Sequence, residues 1–315
     1  MSRSTPLITL AAKESTGSIK LPKWTEIPKY PVIAALSVLA IAVTVAWYSG
    51  VNISFLVESA EIRRGQLWRL LTAIFPHLGI LHLVFNLYWL WILGTVVERV
   101  FGHTKTILLF VLFAIGSNSL DFAFDRGGVG LSGVGYALFG LLWVLSARDE
   151  RFKGAIDKRT IDLFIGWFFI CIVTTLTHIF VVANVAHAAG AVLGVLVGFA
   201  IADPARRLAY GASTLMLVLC GLWGCTLGRP VVNLSGKVGY EEAKWGYDAL
   251  QDGRNEDAIR WLKDAVKLQP KSATNWFNLG IAYQRAAELP PAIAAYGRAH
   301  ELDPQNPKYT EAAQQ

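Results

Sequence analysis

The first three quarters of the chain contain seven uncharged apolar runs, and each is predicted to be a membrane-crossing helix. An α-helix needs about 20 mostly apolar residues to cross the hydrocarbon core of a bilayer. The runs cover residues 32–48, 79–97, 106–120, 130–146, two halves of 163–202 divided near Asn184, and 208–227. The third run is short for a span. Polar stretches separate the others, so the pattern predicts an all-α, polytopic membrane bundle with seven spans.

The last quarter of the chain is charged and repeats itself at an offset of 34 residues. Ala258 recurs as Ala292, and Leu268 recurs as Leu302. Paired helices with this period are typical of the tetratricopeptide repeat, and an unrelated pair of amphipathic helices is the alternative. Two copies fall below the usual minimum of about three. We therefore expect the last helix, near Tyr309, to cap the unit, or the unit to pack on a partner or on itself.

Composition agrees with a membrane protein that has a small soluble part. Hydrophobic residues make up 54% of the 315-residue chain and charged residues 17%, against about 25% charged residues in ordinary soluble domains. The net charge of +6 is modest, and no basic run alternates with aromatics, so we expect no nucleic-acid site. The three cysteines lie in apolar runs and form no pattern of a disulfide framework or zinc site.

The distribution of Lys and Arg predicts the orientation, since these residues are enriched in cytoplasmic loops. With the N-terminus inside, the inner segments carry 14 of them and the outer loops only 4. Seven spans then put the tail outside. The predicted domains are a cytoplasmic segment 1–30, a membrane domain 31–228, a linker 229–240 and a repeat domain 241–315. A bacterial inner membrane is the simplest location, with the repeats periplasmic or extracellular.

Three predicted spans carry polar residues, which are costly in lipid and therefore suggest function. His82 and Asn86 lie four residues apart on one face of the second span. Ser132 opens the fourth span, and His187 lies near the start of the sixth. All three spans run from outside to inside. These side chains therefore share a similar depth near the outer surface, which makes a common site plausible.

The residue types at that depth suit nucleophilic catalysis. A serine becomes a nucleophile when a nearby general base takes its proton, and His187 is the candidate base. Glycines at every fourth position, namely Gly190, Gly194 and Gly198, let two helices approach closely, with Gly130 and Gly133 as a facing surface. No Asp or Glu is expected to orient His187, so the arrangement is a dyad. Tyr136, one turn after Ser132, is a candidate to stack on the imidazole.

Donors for the oxyanion of a tetrahedral intermediate are also present. The candidates are His82, the Asn86 amide and the backbone N–H of Ser132. Each residue alone has a simpler interpretation, because serine, glycine and histidine also mediate helix packing in membranes. His178 is interpreted as structural. His77 is evenly balanced between structure and function.

At this point the sequence resembles the rhomboid family of intramembrane serine proteases over about residues 55–202. The motif segments are Trp68-Arg69 in the first outer loop, His82-Leu-Val-Phe-Asn86 with Gly94 and Glu98, Gly130-Leu-Ser132-Gly133 with Tyr136, and Ala186-His187-x-x-Gly190-x-x-x-Gly194. The order and spacing of the four motifs agree with the family. The combination is highly specific, although no single motif is.

The resemblance implies a role for each motif. Ser132 would be the nucleophile and His187 the general base with Tyr136 stacked on it, and His82 and Asn86 would line the oxyanion hole. Trp68 and Arg69 would belong to a membrane-embedded loop that shapes the site, and Glu98 would be structural. The family cuts transmembrane helices of other proteins near their outer ends, at small residues, without metal or cofactor. The seventh span and the repeats would be additions to a six-span core.

Two other functions fit parts of the pattern. A non-catalytic scaffold would bind transmembrane helices in the same core, with the repeats recruiting a protein or peptide partner. A transporter would need its polar residues at the midplane, whereas here they cluster near one surface. The intact Ser132 and His187 pair favours the protease.

Overall fold

The computed structural model describes residues 24–180 and 182–314, which form helices joined by loops. Most of the predicted inner segment, residues 1–23, lies outside the described residues. The apolar helices are α1 (Pro31–Tyr48), α2 (Ile80–Phe101), α3 (His103–Phe124), α4 (Ser132–Arg148), α5 (Lys158–Leu176), α6 (Asn184–Ala202) and α7 (Arg207–Cys225). The polar helices that follow are α8 (Tyr240–Gln251), α9 (Asn255–Leu268), α10 (Ala273–Arg285), α11 (Leu289–Leu302) and α12 (Pro307–Ala313).

The seven predicted apolar segments all form helices, although they differ in length and burial. Six of those in the described residues are long and apolar enough to cross a membrane, and α4 is shorter at 17 residues. α4 is the central helix, with Leu138, Leu141 and Leu142 fully buried. By contrast, only 17% of the span at α1 and 11% at α5 is buried inside the protein. Helices α1 and α5 therefore present most of their surface to lipid.

The third helix is longer than its apolar run predicted. It continues to Phe124 because the polar residues of its last turns are buried inside the bundle and bonded there. The Ser117 hydroxyl donates to the carbonyl of Phe113 at 2.7 Å, and the Asn118 amide donates to the carbonyl of Leu70 at 2.9 Å. A hydropathy run ends at such residues, whereas a helix does not if their hydrogen bonds are satisfied.

Glycines allow α6 to pack directly on α4. A Cβ added at Gly190 would overlap the carbonyl of Gly133, and one added at Gly194 would overlap the carbonyl of Ala137. One added at Gly198 would lie 2.8 Å from Val144 Cβ. The backbones of the two helices are therefore in contact along the whole stripe, as the small-residue spacing predicted.

The polar helices form two helical hairpins and a final short helix. Gly246 of α8 lies against Leu262 of α9, and Gly280 of α10 lies against Tyr296 of α11, so each hairpin closes at a glycine. The helix α12 covers the end, where the ring of Tyr309 lies 4.9 Å from that of Phe277. This is the position predicted for a capping helix.

The repeat helices dock on the loop between α1 and α2, residues 49–79, which we call the first loop. Arg63 pairs with Glu241 at 2.9 Å and with Glu242 at 2.6 Å, and the Trp245 indole N–H donates to Glu61 at 3.3 Å. The Arg63 guanidinium also lies over the Trp245 ring, 5.1 Å from its centroid. The repeat helices therefore lie at the same end of the bundle as the first loop.

Replacing Arg63 with glutamine is expected to loosen this docking. Glu242 is 2% exposed and Arg63 is its ion-pair partner, so the change leaves a buried carboxylate unpaired. Losing one partner of a buried pair costs about 3–5 kcal/mol. We expect amide hydrogen exchange in α8 to accelerate by about 100–1,000-fold. Arg254→Gln is the control, because the ion pairs of Arg254 are exposed, and equal exchange in the two variants would contradict the expectation.

Candidate functional site

Ser132 stands at the first position of α4, directly after a tightly held loop (residues 125–131) that we call the serine loop. The Gly130 N–H donates to the carbonyl of Ala73 at 2.9 Å. Gly130 has a φ of +111°, and a Cβ there would lie 2.8 Å from the His82 ring. Both the backbone conformation and the close approach require glycine. The serine loop therefore places Ser132 beside the start of α2.

His187 lies in the first turn of α6 and stacks on Tyr136 of α4. The ring centroids are 4.6 Å apart and the planes differ by 26°. The Tyr136 hydroxyl donates to the carbonyl of Phe164 on α5 at 3.1 Å, which fixes the tyrosine ring. His187 is 3% exposed, and its Nδ1 has no hydrogen-bond partner. The imidazole is thus held by stacking and retains a free nitrogen.

Ser132 and His187 both lie in the first turns of two directly packed helices. Ser132 immediately precedes Gly133, whose carbonyl touches α6 at Gly190, one turn after His187. In the described residues, the Ser132 hydroxyl makes no hydrogen bond. Catalytic hydrogen bonds are often long before substrate binds and tighten in the reacting complex. Ser132 and His187 therefore lie on two directly packed helices.

His82 and Asn86 lie on the α2 face directed at the serine loop. The His82 ring contacts Gly130, as described above, and Asn86 is one helical turn further along. Asn86 is 6% exposed, and its amide nitrogen has no hydrogen-bond partner. A buried amide donor without a partner is costly, which is typical of a group that acts on a ligand. His82 and the unpartnered Asn86 amide therefore lie on the same helix face, next to the serine loop.

His77, which the sequence left undecided, holds the serine loop. Its Nδ1 lies 2.9 Å from the carbonyl of Phe75, and a carbonyl can only accept, so Nδ1 carries the proton. Its Nε2 then accepts the N–H of Leu131 at 3.4 Å. The ring also contacts His82 edge-on, with centroids 5.0 Å apart. His77 is fully buried, and it accepts a hydrogen bond from the backbone of Leu131, the residue before Ser132.

The buried environment of His77 predicts a pH dependence of stability. Burial, with a smaller effect of His82, lowers the pKa of His77 from 6.5 to about 4. The unfolded chain therefore takes up this proton before the folded one does. The stabilisation is present above pH 6.5 and is lost as the pH falls toward 4, by about 1.4 kcal/mol per pH unit. We expect melting curves of the His77→Gln variant to show a smaller loss of stability between pH 6.5 and 4 than those of wild type. Exposed His178→Gln should keep it, and a wild-type slope in His77→Gln would contradict the expectation.

Trp68 and Arg69 organise the first loop and do not touch the dyad. Arg69 is buried and donates to the carbonyls of Ser54 and, at 2.8 Å, Val57. The Trp68 indole donates to the carbonyl of Phe55 at 3.2 Å, while half of its side chain is exposed. The pair thus folds residues 54–57 back onto the short helix Arg69–Thr72 within the first loop.

Glu98 joins α2 to the start of α1. Its two carboxylate oxygens accept the N–H groups of Val32 at 2.9 Å and Ile33 at 3.0 Å. Gly94, one turn earlier, lets Ile33 lie against α2. The first N–H groups of a helix have no partner within it, and Glu98 is the acceptor for two of those of α1. Glu98 thus links the start of α1 to α2 through hydrogen bonds.

Sequence reasoning missed two carboxyl groups behind the site. Asp121 of α3 accepts the N–H of Ala186, the residue before His187, at 3.0 Å. Glu58 of the first loop accepts the N–H of Gly128 at 2.7 Å. Burial and the charge of Asp121 raise the pKa of Glu58 well above its usual value. The sequence signal was the charge of Asp121 at the end of an apolar run, which was interpreted as the end of the span.

Two family models match parts of this chain. The model described as the Rhomboid domain matches residues 64–204, and this region is similar to that domain. A second family model, of a TPR repeat, matches residues 246–286. The rhomboid match covers α2 to α6 and every site residue named above except Glu58.

Two curated relatives carry the rhomboid protease name. Rhomboid protease GluP of Bacillus subtilis strain 168 is 27% identical over 265 residues, which is 72% of this chain and 50% of that protein. Rhomboid protease GlpG of Salmonella newport strain SL254 is 34% identical over 148 residues, which is 45% of this chain and 51% of that protein. The chain thus spans about half the length of these relatives. The rhomboid domain and the apolar helices identify an integral membrane protein.

Proposed function

We propose that this protein is an intramembrane serine endopeptidase that uses Ser132 as nucleophile and His187 as general base. The observation that supports the proposal is the direct packing of α6 on α4, since Ser132 and His187 lie in the first turns of these two helices. The names of the relatives support the same reaction class. The rhomboid domain adds the expectation that the substrates are transmembrane helices.

Each step of the proposed acyl transfer uses one or more of these side chains. His187 takes the proton of the Ser132 hydroxyl as Oγ attacks the scissile carbonyl. The unpartnered Asn86 amide, His82 and the Ser132 N–H donate to the oxyanion that forms. His187 then returns the proton to the leaving amine, which departs and leaves an acyl-enzyme on Ser132. A water molecule, deprotonated by His187, hydrolyses the ester and regenerates the serine.

The position of the site at one end of the bundle fits cleavage near one end of a transmembrane helix. A peptide bond inside a helix is shielded, so the substrate must unwind locally. Glycine lowers the cost of unwinding relative to alanine by about 1 kcal/mol. We therefore infer a preference for helices with small or helix-breaking residues at the cut.

A reconstituted cleavage assay tests the function. The full chain in liposomes, with a panel of single-span substrates, is expected to cut at least one near its end and to be labelled at Ser132 by a fluorophosphonate. Cleavage by wild type together with this labelling supports the protease. Binding of the same helices with neither cleavage nor labelling would refute it and favour the scaffold.

Orientation is proposed separately, with the N-terminus in the cytoplasm of a bacterial cell and the repeats outside the inner membrane. A cysteine at exposed Lys271 should react with an impermeant thiol reagent in spheroplasts. A cysteine at exposed Lys153, between α4 and α5, should react only after lysis. The background variant carries Cys220→Ser, since the other two cysteines are buried. The reverse labelling pattern would invert the proposed orientation.

A further inference from the structure

The first turn of α6 lacks a cap from its own chain segment. The helix begins at Asn184, and the preceding residue, Ala183, has no side chain that can accept a hydrogen bond. The first N–H groups of a helix need partners from outside it, and a carboxylate is a favourable one. Here the partner comes from another helix, since Asp121 of α3 accepts the Ala186 N–H at 3.0 Å.

Asp121 is buried beside the serine loop. It is 2% exposed. A Cβ on Gly128 would lie 3.4 Å from its second carboxylate oxygen, so the serine loop packs on that side. The guanidinium of Arg229 lies 3.7 Å from the ring centroid of the adjacent Phe122 and binds the carbonyl of Asp125 at 2.9 Å.

The two elements that Asp121 touches are those that carry the dyad. Through Ala186 it contacts the turn that bears His187, and through Gly128 it borders the loop that leads to Ser132. We propose that Asp121 is a positioning residue that fixes the start of α6 and thereby sets the His187 ring relative to Ser132. This inference rests on the proposed protease function. It adds to the expected dyad without a carboxylate bonded to the base, since Asp121 acts through the Ala186 backbone and not on the imidazole.

Substitutions that separate hydrogen bonding from charge and volume test the role. Asp121→Asn keeps a carbonyl oxygen that can accept the Ala186 N–H, whereas Asp121→Leu has a similar volume and no acceptor. Ser119→Ala is the matched control, because Ser119 is a buried polar residue of α3 that bonds within its own helix and faces Gly221 of α7. Cleavage kinetics in liposomes, fluorophosphonate labelling of Ser132 and the melting temperature are measured for each variant.

A misplacement of about 1 Å can lower a rate by about 100-fold. We expect Asp121→Leu to lower kcat and the labelling rate by about this factor, with KM changed less than about twofold. Asp121→Asn should retain kcat within about tenfold of wild type, and Ser119→Ala should match wild type. Equal losses in the Asn and Leu variants, or a change in melting temperature alone, would overturn the proposal.

If Asp121→Leu does not fold, Asp121→Ala replaces it in the comparison with Asp121→Asn, and the same two outcomes apply. Failure of the proposed function is distinguishable from failure of this inference. In the first case wild type neither cleaves nor becomes labelled. In the second case wild type is active, and loss of the acceptor at residue 121 leaves kcat and labelling unchanged.

Discussion

Replacing either Ser132 or His187 with alanine is expected to reduce cleavage by about 10⁴–10⁶-fold, and replacing both should reduce it no further. The reason is that the two side chains act as one unit, so removing either removes the nucleophilic step. Residual hydrolysis would come from the oxyanion donors and substrate binding alone. Initial rates of substrate cleavage in liposomes, measured for the two single variants and the double variant, check this expectation.

Labelling separates the two roles further. Ser132→Ala should abolish fluorophosphonate labelling, because the reactive oxygen is gone, whereas His187→Ala should only slow it. Ser146→Ala is the matched control, since Ser146 lies at the other end of α4 and donates to the carbonyl of Trp143. A Ser132→Ala variant that cleaves as fast as this control would rule out the proposed nucleophile.

The helices could be predicted wherever a single sequence pattern, either hydropathy or the 34-residue repeat, determined them. Hydropathy located the seven apolar helices, and the 34-residue offset located the paired helices of the repeats. The length of α3 was not predictable from hydropathy, because its buried Asn118 and Asp121 find partners in other segments of the chain. Such partners are set by packing, which a linear pattern does not describe.

Spacing and depth predicted which residues form the candidate site. They did not predict the contacts that hold the surrounding loops in place. Ser132 and His187 could be paired because helix direction and a glycine stripe both leave a trace in the sequence. The bond from His77 to the Leu131 N–H joins residues 54 positions apart. The contact of Arg63 with Glu242 spans 179 positions. Neither has a local signature, so these contacts required the structure.

Replacing Gly194 with valine is expected to lower the free energy of unfolding by about 3 kcal/mol or more, because overpacking costs about 1–3 kcal/mol where side chains alone must move. At Gly194 the obstacle is backbone, since a Cβ would overlap the Ala137 carbonyl and lie 2.8 Å from the Leu141 nitrogen. The helices α4 and α6 would have to separate. Melting curves in detergent measure the stability change.

The same separation would move His187 away from Ser132, so cleavage should fall by at least about 100-fold even in the fraction that remains folded. Gly211→Val is the control, because Gly211 is exposed on α7 and a Cβ there meets nothing within 4 Å. Gly211→Val makes the same side-chain change at a position that does not pack against another helix. If Gly194→Val melted and cleaved like Gly211→Val, the direct packing of α6 on α4 would not be what holds the dyad together.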